Sequence, residues 1–253
     1  MTANYYDSDR AVAEYLLFHY GTPEQVLPHG IKPSDALYFP IRCVTECLEA
    51  RSLPLQTRAL DLGCAVGRST FELARYCGQV IGIDSSQKFI DTARHLQEEG
   101  FIEFSYADEG DLSNRATVFV PAGDDRYRVT FQHGDAQNLP EDLGVFDVVL
   151  MANLIDRLSD PRRCLRRLST LMRSGGQLII TSPYTWTTEY TPKENWLGGF
   201  ERDSQRVKTI GTLKELLAPD FHFSICKDLP FLIREHTRKF QWSVAEASAW
   251  VRK

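Results

Sequence analysis

ALDLGCAVGRSTFELAR occupies residues 59–75. It reads as the end of a strand, a glycine turn and the start of a helix. In the turn DLGCAVG, Gly63 and Gly67 stand where a backbone approaches a ligand and a helix packs on a strand. The middle glycine of GxGxxG is missing, because position 65 is Ala, and the GKS or GKT of a P-loop is absent. An acid, Asp61, comes two residues before Gly63. Beside a pyrophosphate it would repel. Beside a ligand with a cationic amino group it is well placed.

Further acids follow at strand ends. QVIGID, residues 79–84, reads as a second strand, and Asp84 ends it. An acid there accepts both hydroxyls of a ribose. Asp135 in HGDAQNLP follows a third strand, at the carboxyl edge where ligands of such sheets bind, and suits an adenine amino group. S-Adenosylmethionine (SAM) has a ribose, an adenine and a cationic amino group, and no phosphate. Any one of these acids alone reads more readily as a loop residue or a helix cap; together they point to SAM. Cys64, Ala65, Arg68, Ser85 and Ala136 adjoin them and are expected in the same pocket. Asn153 ends the fourth strand and is expected at the donor's reactive end.

The rest of the chain alternates strands and helices, which implies a parallel sheet with helices on both faces. Helices are expected over 8–20, 41–51, from the turn to about 77, after Ser85 or Ser86 up to Gly100, from Asp160-Pro161 to about 172, and near 211–218. FDVVLMAN is a fourth strand. Gly175-Gly176 is read as a turn into QLIITSP, a fifth. Residues 101–131 interrupt the rhythm with FIEFSYA, TVFVPA and RYRVTFQ, a small β insertion leading into the third parallel strand. Two antiparallel strands, about 222–234 and 239–251, close the chain.

The 253 residues are 43% hydrophobic and 25% charged, with net charge −5. That is ordinary globular composition, and nothing suggests a basic nucleic-acid surface. No apolar run reaches membrane-spanning length, and MTANYYDSDRAVAEYL has no signal-peptide pattern. The six cysteines form no CxxC pair and no zinc spacing, so they read as reduced thiols in a cytoplasm.

The order DLGCAVG, VIGIDSS, GDAQNLP, FDVVLMANLIDRL, SGGQLIITSP resembles a class I SAM-dependent methyltransferase. That resemblance implies a Rossmann-like α/β fold: a seven-stranded, mostly parallel sheet with an antiparallel last strand. Here it would form one domain over 1–253, with an N-terminal helical lid over 1–55 and a cofactor-binding core over 56–253. Ala65 departs from the family's middle glycine. YYDSDRAVAEYLLFHYG, FPIRCV, SPYTWTTEYTPKENWLGG and RKFQWSVAEASAWVR further resemble the methyltransferases of ovothiol biosynthesis. These act on ring nitrogen N1 of 4-mercaptohistidine, also called 5-thiohistidine. The resemblance therefore implies that acceptor, and a functional partner in an iron-dependent sulfoxide synthase.

A neutral imidazole nitrogen is already nucleophilic, so alignment and exclusion of water should do most of the work. No metal and no Ser/His/Asp triad is expected. In SPYTWTTEY, Tyr184, Trp186 and Tyr190 either wall the acceptor ring and face the sulfonium or simply pack the loop; Tyr184 joins Asn153 as a candidate at the reacting centre. Arg157 follows the fourth strand, where acceptor substrates commonly sit, and is a candidate for binding the acceptor. Arg42 and Lys193 are candidate carboxylate partners, with solvated surface charge as the alternative. Tyr5 and Tyr6 are candidates for a closing lid. Arg162, Arg163, Arg166 and Arg167 read as a solvated helix face. His133 reads as a strand-end residue rather than a general base; Asp156 and Glu189 are unranked proton acceptors. Rival readings are a methyltransferase of another small acceptor, a Rossmann dehydrogenase, and a cofactor-binding module without turnover.

Overall fold

The computed structural model describes residues 5–28, 34–54, 56–123 and 125–253. Three helices come first: α1 (Asp9–Tyr20), α2 (Pro23–Val26) and α3 (Phe39–Thr45). The chain then runs β1 (Arg58–Leu62), α4 (Arg68–Leu73), β2 (Gln79–Asp84), α5 (Gln87–Glu99), β3 (Phe101–Glu109), β4 (Leu112–Phe119), β5 (Val129–His133) and β6 (Phe146–Ala152). It ends with α6 (Pro161–Leu171), β7 (Met172–Ser182), β8 (Phe200–Arg202), β9 (Gln205–Val207), α7 (Thr209–Leu217), β10 (Phe221–His236) and β11 (Lys239–Arg252).

Seven strands form one sheet in the order β10-β11-β7-β6-β1-β2-β5. Only β11 runs against its neighbours, pairing antiparallel with both β7 and β10. Side chains alternate between the two faces, as a strand requires. Ala59, Val148, Leu150 and Ile179 join one core with α1, α3, α4 and α5. Leu60, Leu62, Val149, Met151, Leu178 and Ile180 join a second core with α6 and α7. The expected fold is therefore the observed one.

Local chemistry sets the helix ends. Ser8 caps α1 by accepting from the Ala11 amide, and Ser86 caps α5 by accepting from Phe89. Gly100 ends α5 in the left-handed conformation, at φ +82°. The helix expected over 41–51 begins earlier, with Pro40 in its first turn, and stops at Thr45. Beyond it, the Gln177 amide clamps the chain, accepting from the Glu49 amide and donating to the Glu49 carbonyl and to Ser52. That clamp requires a turn where the sequence pattern extends a helix.

Two further expectations are corrected. Gly175-Gly176 is not a turn before the fifth strand but lies inside β7. There the register with β6 jumps from Phe146↔Met172 to Val148↔Gln177, and Gly175 takes φ +81° at the irregularity. The loop after β7 carries an unexpected hairpin, β8–β9. The β insertion is a separate antiparallel hairpin, β3–β4, while β5 joins the main sheet.

Candidate functional site

The strand order reverses beside β1: β2 and β5 lie on one side, β6 and β7 on the other. Ligands of open α/β sheets bind outside the carboxyl ends of the strands at that reversal. A cavity of about 230 Å³ opens there. Gly63, Ala65, Asp84, Ser85, Asp135, Ala136 and Asn153 line it from the sheet side. Tyr6, Arg157 and Tyr190 close it from above.

The glycine turn is tied to the end of β2. The Gly63 and Cys64 amides donate to the Ile83 carbonyl at 2.8 and 3.2 Å. The Ala65 amide donates to Asp84 Oδ2 at 2.9 Å. Gly63, Ala65 and Gly67 have φ of +74°, +47° and +86°. An alanine there is strained, at a cost of roughly 1–2 kcal/mol; the bond to Asp84 holds it. Gly67 answers to packing: a Cβ on it would stand 2.5 Å from Phe131 Cζ. Cys64 fills the space beneath the turn and is buried.

Three acids have distinct settings. Asp61 is fully buried; its Oδ2 accepts from Ser69 Oγ and Thr70 Oγ1, both at 2.7 Å. Its Oδ1 has no partner among the described residues. Burial pushes its carboxyl up to about 6. It does not line the cavity; Ser69 does. Asp84 accepts from the Ala65 amide through Oδ2 and from the Ser86 amide through Oδ1, at 2.8 Å. Burial raises its pKa against those two bonds. Asp135 accepts from the Gln137 amide at 2.8 Å and from the Asn138 side chain at 2.5 Å.

The other wall begins at Asn153, held at φ +52°. Its amide donates to the Thr181 carbonyl at 2.8 Å, and its Oδ1 accepts from Thr181 Oγ1. Arg157 Nε donates to the Tyr6 hydroxyl at 3.2 Å, and the guanidinium lies 4.8 Å over the Tyr190 ring. It also pairs with buried Asp156 at 3.2 Å. Burial raises the Asp156 pKa, with the Arg157 charge opposing. Ser86 Oγ donates to the Tyr6 carbonyl at 2.9 Å, which fixes the N-terminal segment across the cavity.

The remaining candidates sit elsewhere. Tyr184 donates to Glu246 at 2.8 Å, and the Trp186 indole donates to Thr209 at 2.9 Å. Both face a different, open cavity of about 520 Å³ against the start of α7. Arg42 donates to the Pro230 carbonyl at 2.9 Å and pairs with Glu46. Lys193 lies 6.0 Å over Trp196. Arg68 is buried against Glu72 at 3.1 Å. Tyr5 is bonded to Glu14 and does not line the cavity. His133 bonds the Ser85 carbonyl at 2.9 Å. Sequence reasoning missed Tyr15, Phe18, His19, Phe39, Pro40 and Ile233, which also line the cavity. The spacing of Tyr15, Phe18 and His19 on one face of α1 was the available signal.

Among the described residues no helix is long and apolar enough to cross a membrane. A family model described as a methyltransferase domain matches residues 60–180. The chain is 24% identical over 123 residues to the ubiquinone biosynthesis O-methyltransferase of Coxiella burnetii, covering 49% of this chain and 42% of that one. It is 22% identical over 158 residues to the uncharacterized methyltransferase YcgJ of Bacillus subtilis, covering 62% and 51%. The chain thus spans about half or less of the length of these curated relatives. Among solved structures, the magnesium protoporphyrin IX methyltransferase of Synechocystis with bound SAM aligns with a TM-score of 0.54 over 100% of both chains, at 14% identity. At that identity the likeness concerns the fold.

Proposed function

We propose that the chain, whose residues 60–180 match a family model described as a methyltransferase domain, is a class I SAM-dependent methyltransferase that methylates a ring nitrogen of a small imidazole amino acid, 5-thiohistidine, giving ovothiol A. SAM is the cofactor of such a domain, and the residues present fit it. Asp61 lies beneath Ser69, which lines the cavity, and its carboxylate favours a cationic ligand there by its charge. Asp84 retains acceptor capacity beyond its two backbone bonds for ribose hydroxyls. Asp135 lies at the cavity edge for an adenine amino group.

SAM, when bound, supplies an electrophilic methyl carbon on a positively charged sulfur. The chain's own residues then have three tasks. Asn153 and the turn fix the end of the cavity where the reacting atoms meet. Tyr6 and Tyr190 offer ring faces to a planar acceptor, and Arg157 offers a cation to its thiolate or carboxylate. The segment carrying Tyr6 covers the cavity and excludes water. The proton lost from the ring is left to solvent, since Asp156, paired with Arg157, and His133, bonded to the Ser85 carbonyl, do not line the cavity.

The observation that carries this reading is the Tyr6–Arg157–Tyr190 group over the cavity. It combines aromatic walls with a cation, which suits a planar, anionic, zwitterionic acceptor. The choice of 5-thiohistidine itself rests on the sequence resemblance. It implies a partner reaction that installs the thiol, the work of an iron-dependent sulfoxide synthase. A methylation assay offering 5-thiohistidine and histidine side by side tests the acceptor.

A further inference from the structure

His19 is 6% exposed, yet it is among the residues that line the cavity. Its Nδ1 is buried without a hydrogen-bond partner among the described residues. The rings of Phe18, Tyr15 and Tyr20 surround it at 5.4, 5.7 and 6.3 Å. A buried polar atom without a partner destabilises the fold, and a hydrocarbon of similar size would not. Folding therefore gives no reason for an imidazole at this place.

Its charge state is fixed by its surroundings. Burial first, and the Arg68 charge second, push the conjugate acid down to about 3. The ring is neutral near pH 7, with one N–H donor and one lone pair. So weak a base does not take the proton of a substrate. It holds a ligand by hydrogen bonding instead.

Its neighbours indicate which ligand. The strand-end half of the cavity carries Gly63, Asp84 and Asp135. The other half comes from α1, α3 and β10, and there Phe18, Phe39, Pro40 and Ile233 are apolar. Tyr15 and His19 are the residues of that half with polar side-chain atoms. We propose that His19 determines acceptor specificity: its neutral imidazole hydrogen-bonds a polar atom of the methyl acceptor and selects a heteroaromatic amino acid over a hydrocarbon of the same shape. This rests on the reading of the cavity as shared by SAM and an imidazole acceptor.

The test is calorimetry on the full chain saturated with S-adenosylhomocysteine, titrated with 5-thiohistidine and with histidine. The variants are His19→Phe and His19→Leu, which remove the hydrogen bond, and His19→Gln, which keeps a donor and an acceptor. Affinity for 5-thiohistidine should fall about tenfold in the apolar variants. It should recover to within about threefold in His19→Gln, with S-adenosylhomocysteine affinity unchanged in all three. Unchanged acceptor affinity in a folded apolar variant overturns the proposal, and so does a parallel loss of S-adenosylhomocysteine affinity. If the wild type binds neither amino acid, the acceptor reading falls and takes the proposal with it. Nitrogen-15 spectra of histidine-labelled wild type give a readout that needs no variant. Acceptor binding should move the His19 ring-nitrogen resonances, and unmoved resonances overturn the proposal.

Discussion

Asp84→Asn changes one atom and should weaken cofactor binding by roughly tenfold to a hundredfold. Both carboxylate oxygens accept from backbone amides: Oδ2 from Ala65 at 2.9 Å and Oδ1 from Ser86 at 2.8 Å. An asparagine must turn its NH₂ toward one of those N–H groups. A donor left facing a donor in a buried place costs about 1–3 kcal/mol. Loss of the charged acceptor for a ribose hydroxyl costs about 1.5–3 kcal/mol more. The first cost weighs on folding, in the free and the bound protein alike; the second weakens binding by roughly tenfold to a hundredfold. Titration calorimetry with S-adenosylhomocysteine reads it directly, with circular dichroism to confirm the fold. A dissociation constant within about threefold of wild type in a folded variant would refute the role of Asp84.

Gly67→Ala should destabilise the protein by about 2–5 kcal/mol. A left-handed alanine costs about 1–2 kcal/mol, and overpacking about 1–3 kcal/mol. The new Cβ would lie 2.5 and 2.8 Å from Phe131 Cζ and Cε1. Urea unfolding measures the loss; a change under about 1 kcal/mol would mean the ring moves aside freely. Asp61 gives a pH prediction. Burial raises its pKa from 3.8 to about 6, so its contribution to stability is complete below pH 3.8 and is lost as pH rises through about 6. Its negative charge, which favours a cationic cofactor, appears over the same range. Wild-type affinity for SAM should therefore fall as pH drops through about 6. Asp61→Asn should flatten that profile, bind SAM more weakly at pH about 7.5 and unfold at higher urea there. A variant that binds as tightly as wild type, or is less stable at that pH, contradicts this account.

The sheet and its cofactor edge were legible because their signals are local. The residues between Asp61 and Asp84 encode strand, turn, helix and strand in one short run, and Asp84 reaches back to Ala65 within it. Even Ala65, where the family prefers glycine, is explained by that bond. The acceptor side was not legible, because long-range packing decides it. Tyr184 and Trp186 follow the fifth strand, at the ligand edge. Yet Glu246 on β11 and Thr209 on α7 draw their side chains toward a separate cavity. Arg42 has a bidentate group suited to a carboxylate, and the structure gives it to the Pro230 carbonyl and Glu46. Helix α1 shows the opposite case. Its aromatic stripe reads as a core face, and nothing local divides that face between core and cavity. Only the approach of α3 and β10 leaves His19 at the cavity.

The most direct test of the proposed function is a methylation assay read by mass spectrometry. The full chain is incubated with SAM and either 5-thiohistidine or histidine. The account predicts a gain of one methyl group on 5-thiohistidine and none on histidine. No methylated 5-thiohistidine from a chain that binds SAM would contradict the proposed acceptor and leave the methyltransferase domain to act on another small molecule.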